Sequence, residues 1–147
     1  MSADTLKLDN YFPFFLGTIA NRWSSTSSRL YLDEFGIGIG AWRVLASIHA
    51  RGEASSLDVA HHISMDTAAV SRAVTQLDKD GYIRKVEGRF PGRTRPYALT
   101  PTGKKLYTRI MKLALKREAQ LLAGLDTEER QELIRLMQRI LQNIDQL

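Results

Sequence analysis

Side chains that can read bases in a DNA groove recur at helical spacing between residues 67 and 80. At about 100 degrees per residue, the apolar residues Val70, Ala73, Val74 and Leu77 share one face of a helix. The opposite face then presents these side chains: Ala68, Arg72, Thr75, Gln76 and Lys79. Arginine can pair with guanine, glutamine with adenine, and threonine or alanine with a thymine methyl group, while a lysine at the far end meets phosphate. A face that is merely solvated is the alternative interpretation.

A basic loop follows this segment. Residues 82–87 and 94–100 have the composition of two short strands, and the connection between them contains glycine and proline, which favours a hairpin. Three arginines lie in or beside the hairpin tip: Arg89, Arg93 and Arg95. The sequence therefore predicts a basic wing beside the polar helix.

The net positive charge is concentrated in the same region. The 147-residue chain has a formal charge of +5 and a pI near 9.7. Residues 66–105 hold nine bases and four acids, whereas the rest of the chain holds twelve of each. This distribution favours a polyanionic partner, although a randomly charged solvated surface remains an alternative.

Helical patterns precede the two basic segments. Residues from about 9 to 35 form an amphipathic pattern, in which Pro13 either starts the regular helix or kinks it. After a glycine-rich break at 36–40, a second helix is predicted over 41–50. A capping box from Ser55 to Asp58 begins a third helix that ends near Ile63, and a tight turn leads to the helix over 67–80. The third and fourth helices form a helix-turn-helix.

Two further helices follow the wing. Thr100 and Pro101 form an N-terminal cap for a long helix that ends near Ala123. A second capping box, from Asp126 to Glu129, begins a last helix with apolar residues at heptad spacing. The predicted fold class is mainly α with a small β-hairpin wing, a winged helix-turn-helix flanked by N- and C-terminal helices.

This order of elements resembles the MarR-type winged-helix regulators. Three segments share the family's pattern: AWRVL at 41–45, SRAVTQLDKDGYI at 71–83 and LTPTG at 99–103. The resemblance implies a single domain over 1–147, with dimerisation helices at about 1–35 and 104–147 and a DNA-binding region at about 39–103. The family's wing usually reads Asp-x-Arg. Arg93 occupies the arginine position here, but Pro91 stands where aspartate is expected.

The resemblance also implies a function. Proteins of this type are DNA-binding homodimers that repress, or less often activate, nearby genes in response to small, commonly aromatic ligands. We therefore expect a sequence-specific, ligand-responsive repressor that binds pseudopalindromic double-stranded DNA in the cytoplasm. The predicted DNA-binding residues are Ala68, Ser71, Arg72, Thr75, Gln76, Lys79, Arg89, Arg93 and Arg95.

Apolar residues in the terminal helices predict a dimer. Each terminal helix has more of them than a small DNA-binding core needs, so we expect the termini to pack together and against a second copy. The predicted seam contains Leu133, Ile140 and Ile144. Packing of this heptad within one chain is the alternative interpretation.

The first two helices suggest a site for a small aromatic anion between the terminal helices and the winged region. Aromatic walls with nearby cations could be supplied by Phe12, Phe15, Arg22, Trp23, Trp42 and Arg43. The same stripe could equally be core or dimer interface. Because the chain has no cysteine, a thiol switch is excluded.

Other kinds of site lack support. Gly36–Gly40 follows a helix rather than a strand, which argues against a dinucleotide loop. The three histidines match no metal-ligand spacing, and no catalytic serine motif is present, so we expect no metal, no cofactor and no enzyme activity. The sequence predicts no membrane span, no membrane partner and a soluble protein. An architectural DNA protein and a helical protein-interaction module remain the alternatives.

Overall fold

The computed structural model describes residues 5–147, which form six α-helices, one short 3-10 helix and a two-stranded sheet. The 3-10 helix spans Leu8–Asn10. The other elements, in chain order, are α1 Phe12–Phe35, α2 Ile39–Arg51, α3 Ser56–Ile63, α4 Thr67–Lys79, β1 Ile83–Lys85, β2 Tyr97–Leu99, α5 Pro101–Leu121 and α6 Thr127–Ile144. The predicted fold class is confirmed, while the dimerising role of the terminal helices stays a prediction.

Pro13 lies in the first turn of α1, with Tyr11 as the N-cap. A proline is tolerated there because the first amides of a helix have no intrahelical acceptor. The sequence left open whether Pro13 starts the regular helix or kinks it. The structure shows that the helix begins at Phe12, beside Pro13. The helix ends at Gly36, whose φ of 72° is readily adopted by glycine.

Helices α2, α3 and α4 enclose the core of the winged region. Val44, Ile48, Val59, Val70 and Leu77 are all fully buried. The capping box of α3 is present as predicted: the Ser55 hydroxyl accepts from the Asp58 amide, and Asp58 Oδ2 accepts from the Ser55 amide. These contacts fix where α3 begins.

The sheet is shorter than the sequence predicts. The strands pair antiparallel from Ile83 opposite Leu99 to Lys85 opposite Tyr97, so the predicted strands over 82–87 and 94–100 were too long. Pro96 offers no amide to the ladder, and the glycines at 88 and 92 have positive φ, which breaks the extended conformation. The loop over 86–96 is therefore longer than predicted. Tyr97 also exchanges two backbone hydrogen bonds with Ala54, which ties the wing to the segment before α3.

The start of α5 packs directly onto the turn between α4 and β1. The Gly103 amide donates to the Thr100 hydroxyl at 3.0 Å, and that hydroxyl donates to the Gly81 carbonyl at 2.6 Å. A Cβ on Gly103 would lie 1.9 Å from the Tyr82 carbonyl oxygen. The glycine therefore permits a close backbone approach, which explains the small residue in the LTPTG segment.

The chain divides into two compact units, one ending at Ile110 and one spanning Met111–Leu147. In the second unit the predicted capping box of α6 is present, with Asp126 and Glu129 each accepting from the other's amide. The Arg130 guanidinium donates to the carbonyls of Leu122 and Leu125, which closes the turn between α5 and α6.

Candidate nucleic-acid interface

Helix α4 has the two faces that its sequence predicts. Val70, Val74 and Leu77 are buried, and Ala73 is half-buried. The six α4 residues predicted to contact DNA are all exposed: Ala68, Ser71, Arg72, Thr75, Gln76 and Lys79. Asp66 caps the helix by accepting from the Ala69 amide at 3.1 Å. An exposed polar face is thus held on a helix whose opposite face is part of the core.

The polar side chains of α4 differ in the hydrogen bonds and ion pairs that they make within the chain. The Thr75 hydroxyl donates to the Ser71 carbonyl, which leaves the threonine methyl group as its main recognition feature. The Gln76 amide donates to both carboxylate oxygens of Asp80 at 2.9 Å, a contact that it must exchange when it binds a base. Within residues 5–147, no carboxylate lies within ion-pairing distance of Arg72. The Arg72 guanidinium is accordingly able to donate to a partner from outside the chain.

The wing places its three arginines on exposed positions of one loop. The Arg93 guanidinium lies over the Phe90 ring, 5.9 Å from its centroid, and the Arg93 amide closes a turn onto the Phe90 carbonyl. Arg95 makes a long contact of 3.4 Å to the Gly88 carbonyl. Arg93 is therefore partly ordered by an aromatic contact, and Arg95 bonds back onto the loop.

A cleft of about 500 Å³ separates the wing from the first turn of α3. Its walls include Arg51, Asp58, Phe90 and Arg93. Hydrogen bonds from the Ser55 amide and hydroxyl lower the pKa of Asp58, and the charges of Arg51 and Arg93 lower it further. This cleft could not be expected from the sequence, because its walls come from distant segments that the Ala54–Tyr97 bridge helps to bring together.

The residues predicted to form an effector site are spread along α1 and α2. Trp42 lies near Tyr31, with ring centroids 6.5 Å apart, whereas Phe12 and Phe15 precede Tyr31 by 19 and 16 residues on the same helix. At 1.5 Å per residue, that places them about 24 to 28 Å from Tyr31. Arg22 is exposed and Trp23 half-buried on α1, and the Arg43 guanidinium donates to the Ile63 carbonyl.

An aromatic cluster surrounds Trp42 instead. Its ring stacks on Tyr107 at 5.4 Å, and Tyr107 in turn stacks on His49 at 3.8 Å. Tyr31 meets Trp42 edge-to-face. Sequence spacing could not identify this cluster, because its rings come from α1, α2 and α5.

A second histidine, His62, contacts the buried Ser47 hydroxyl through its Nδ1 atom at 2.7 Å. Among the described residues, no group of three His, Cys, Asp or Glu side chains is arranged to hold a metal ion. Within that same part of the chain, no helix is long and apolar enough to cross a membrane.

Comparison with known proteins places this geometry among winged-helix regulators. Residues 38–88 match the model of the MarR family. The fold is similar to a MarR/EmrR family transcriptional regulator from Acinetobacter sp. ADP1, with a TM-score of 0.88 and 29% identity over 97% of this chain and 100% of that one. A MarR family regulator from Silicibacter pomeroyi DSS gives a TM-score of 0.81 and 28% identity over 92% and 90% of the two chains.

A curated relative matches along most of the sequence. The HTH-type transcriptional repressor IacR of Pseudomonas putida is 23% identical over 137 residues, which cover 92% of this chain and 81% of that protein.

Proposed function

We propose that this chain is a member of the MarR family, a sequence-specific regulator that represses transcription by binding double-stranded DNA as a homodimer. The observation that supports this most directly is the exposed polar face of α4 beside the basic wing. The similarity to a protein named as a repressor supports repression rather than activation. We assign the protein to the cytoplasm and assign it no catalytic activity.

The kinds of side chain on α4 support sequence specificity. A purely architectural protein needs cations and apolar wedges, whereas Arg72 and Gln76 can each form paired hydrogen bonds with one base. Selection of binding sites from genomic fragments with purified protein tests this. We expect one palindromic sequence to be enriched; random fragments retained equally would support the architectural alternative, and no retention would support a protein-interaction module.

The wing is expected to contribute through Arg93. Arg93→Ala should weaken binding by about fivefold or more, most strongly at sites flanked by A·T pairs, because a narrow minor groove attracts an inserted guanidinium. Arg29→Ala, which removes an exposed arginine from α1, is the matched control and should change affinity little. Fluorescence anisotropy with A·T- and G·C-flanked duplexes measures both effects. Binding that is unchanged at every site would remove the wing from the mechanism.

Helix α6 supports a homodimer. Leu133 and Ile144 are 36% and 52% exposed, and Ile140 is half-buried, so a broad apolar face stays open to solvent in a single chain. We propose that these residues pair with a second copy, which would place two α4 helices about 34 to 36 Å apart on successive half-sites.

Sedimentation at micromolar concentration tests the pairing. We expect the wild-type protein to be a dimer and Ile144→Glu to shift it toward monomer, because the seam would bury an unpaired charge. Gln138→Glu adds the same charge elsewhere on α6 and should leave the dimer intact. A wild-type monomer would contradict the proposal.

We also propose that a small aromatic anion regulates DNA binding. Trp42 lies within the aromatic cluster and can report ligand binding by its fluorescence. A twentyfold loss of DNA affinity requires about 1.8 kcal/mol of coupling between ligand and DNA. Benzoates and cinnamates should be titrated against tryptophan fluorescence and DNA binding in parallel. We expect at least one compound to change both; a panel that changes neither contradicts the proposal.

A further inference from the structure

The turn between α3 and α4 has an unusual backbone conformation. Ser64 has a φ of 52°, and among the described residues it is the one residue other than glycine with a positive φ. This left-handed conformation is unfavourable for a residue with a Cβ, so surrounding contacts must hold it. The amides of Ser64 and Met65 both donate to the Ala60 carbonyl. Because α4 begins at Thr67, this turn determines where the polar face of α4 lies.

The carbonyls in the last turn of α3 need donors from outside that helix. The last four carbonyls of a helix have no intrahelical partner, and a positive charge is favourable at this end. Arg43 supplies both, because its Nη2 atom donates to the Ile63 carbonyl at 3.0 Å. Ile63 is the residue directly before Ser64. The contact therefore fixes the backbone at the point where the left-handed turn begins.

Arg43 extends from a part of α2 that is itself well packed. On one side of it in the sequence, Trp42 stacks on Tyr107, and on the other side Val44 is fully buried. Arg43 is an exposed residue, so its side chain does not fill the core. Its contact with Ile63 is instead a link from α2 to the helix-turn-helix.

We propose that Arg43 is a positioning residue for α4, which binds the end of α3 so that the polar face of α4 enters the DNA groove in a fixed orientation. This inference rests on the proposed function for its consequence, the reading of bases by α4. It gives Arg43 a role in DNA recognition that requires no contact between its own side chain and DNA.

Two other roles for Arg43 predict different results. A guanidinium that bound phosphate would support selected and random duplexes alike, and its loss would lower the salt dependence by about one counterion. A purely structural contact would stabilise the fold and leave the affinity of the folded protein unchanged. A positioning residue acts on the base contacts of α4, which distinguish one sequence from another.

The variant Arg43→Met keeps a long side chain and removes its charge and its hydrogen-bond donors. We expect it to weaken binding to the selected duplex by about two- to tenfold, the range for loss of one hydrogen bond. Its effect on a random duplex should be smaller, and the salt dependence should not change. Arg29→Met, which alters an exposed arginine of α1, is the matched control and should bind both duplexes as the wild type does.

Fluorescence anisotropy at several salt concentrations compares these variants. The proposal is wrong if Arg43→Met weakens binding to the two duplexes equally, or if it changes the affinity for neither.

Hydrogen exchange tests the contact without DNA. The amides of Ser64 and Met65 should exchange about two- to tenfold faster in Arg43→Met than in the wild type, because the turn opens more easily. Arg29→Met should leave both exchange rates unchanged. Equal rates in the wild type and Arg43→Met would overturn the positioning contact. Faster exchange in a protein that binds no duplex would uphold the contact and overturn the proposed function instead.

Discussion

Gly103→Ala is expected to lower the free energy of unfolding by about 1 to 3 kcal/mol, the usual range for overpacking a tight contact. Alanine is normally the better helix residue, by about 1 kcal/mol. Here its Cβ would lie 1.9 Å from the Tyr82 carbonyl oxygen. That oxygen also accepts the Thr100 amide at 3.1 Å, so it cannot move away without breaking a second contact.

Gly17→Ala is the matched control, because no heavy atom lies within 4 Å of its added Cβ and it also lies in an α-helix. We expect this variant to be as stable as the wild type or more stable. Denaturant unfolding at one fixed protein concentration compares the two, since dimerisation would otherwise change the apparent stability. If Gly103→Ala gains as much stability as Gly17→Ala, the close approach of α5 to the turn between α4 and β1 is wrong.

Arg72→Ala is expected to have the largest effect on DNA recognition. Loss of one paired contact with guanine should cost about 1 to 3 kcal/mol on the selected site, or about five- to 150-fold in affinity. The sequence preference should relax at the base pair that Arg72 contacts and stay unchanged elsewhere, because the other α4 side chains would contact other base pairs. Lys79→Ala should instead weaken selected and random duplexes equally and lower the salt dependence by about one counterion.

These two variants are compared by titrating each with the selected duplex, its single-base variants and a random duplex at several salt concentrations. The base-reading role of Arg72 is contradicted if its alanine variant loses the same affinity for every duplex. In that case Arg72, like Lys79, would contact only phosphate.

Local signals in the sequence predicted most of the fold. Ser55 and Asp58, and likewise Asp126 and Glu129, are capping pairs whose partners lie three residues apart, so sequence alone identifies them. The resemblance to the MarR family and the mainly α winged-helix class are confirmed. The division of α4 into a buried and an exposed face also follows from local periodicity.

Features that depend on distant segments were predicted less well. The strands were overestimated because alternation continues past Lys85, whereas Pro96 has no amide to donate and the wing glycines have positive φ, so the ladder ends there. The aromatic cluster at Trp42 joins Tyr31 and Tyr107, which lie 76 residues apart in sequence. Helical periodicity identifies a face of one helix but not the helix that packs against it. The effector site therefore stays a prediction.

The central claim, sequence-specific DNA binding by α4 and the wing, is tested most directly by one affinity ratio. The dissociation constants of the wild-type protein for the selected palindrome and for a scrambled duplex of equal length should be measured at the same salt concentration. We predict that the palindrome binds at least about a thousandfold more tightly, the lower range for specific regulators. Equal affinity for the two duplexes would contradict the claim.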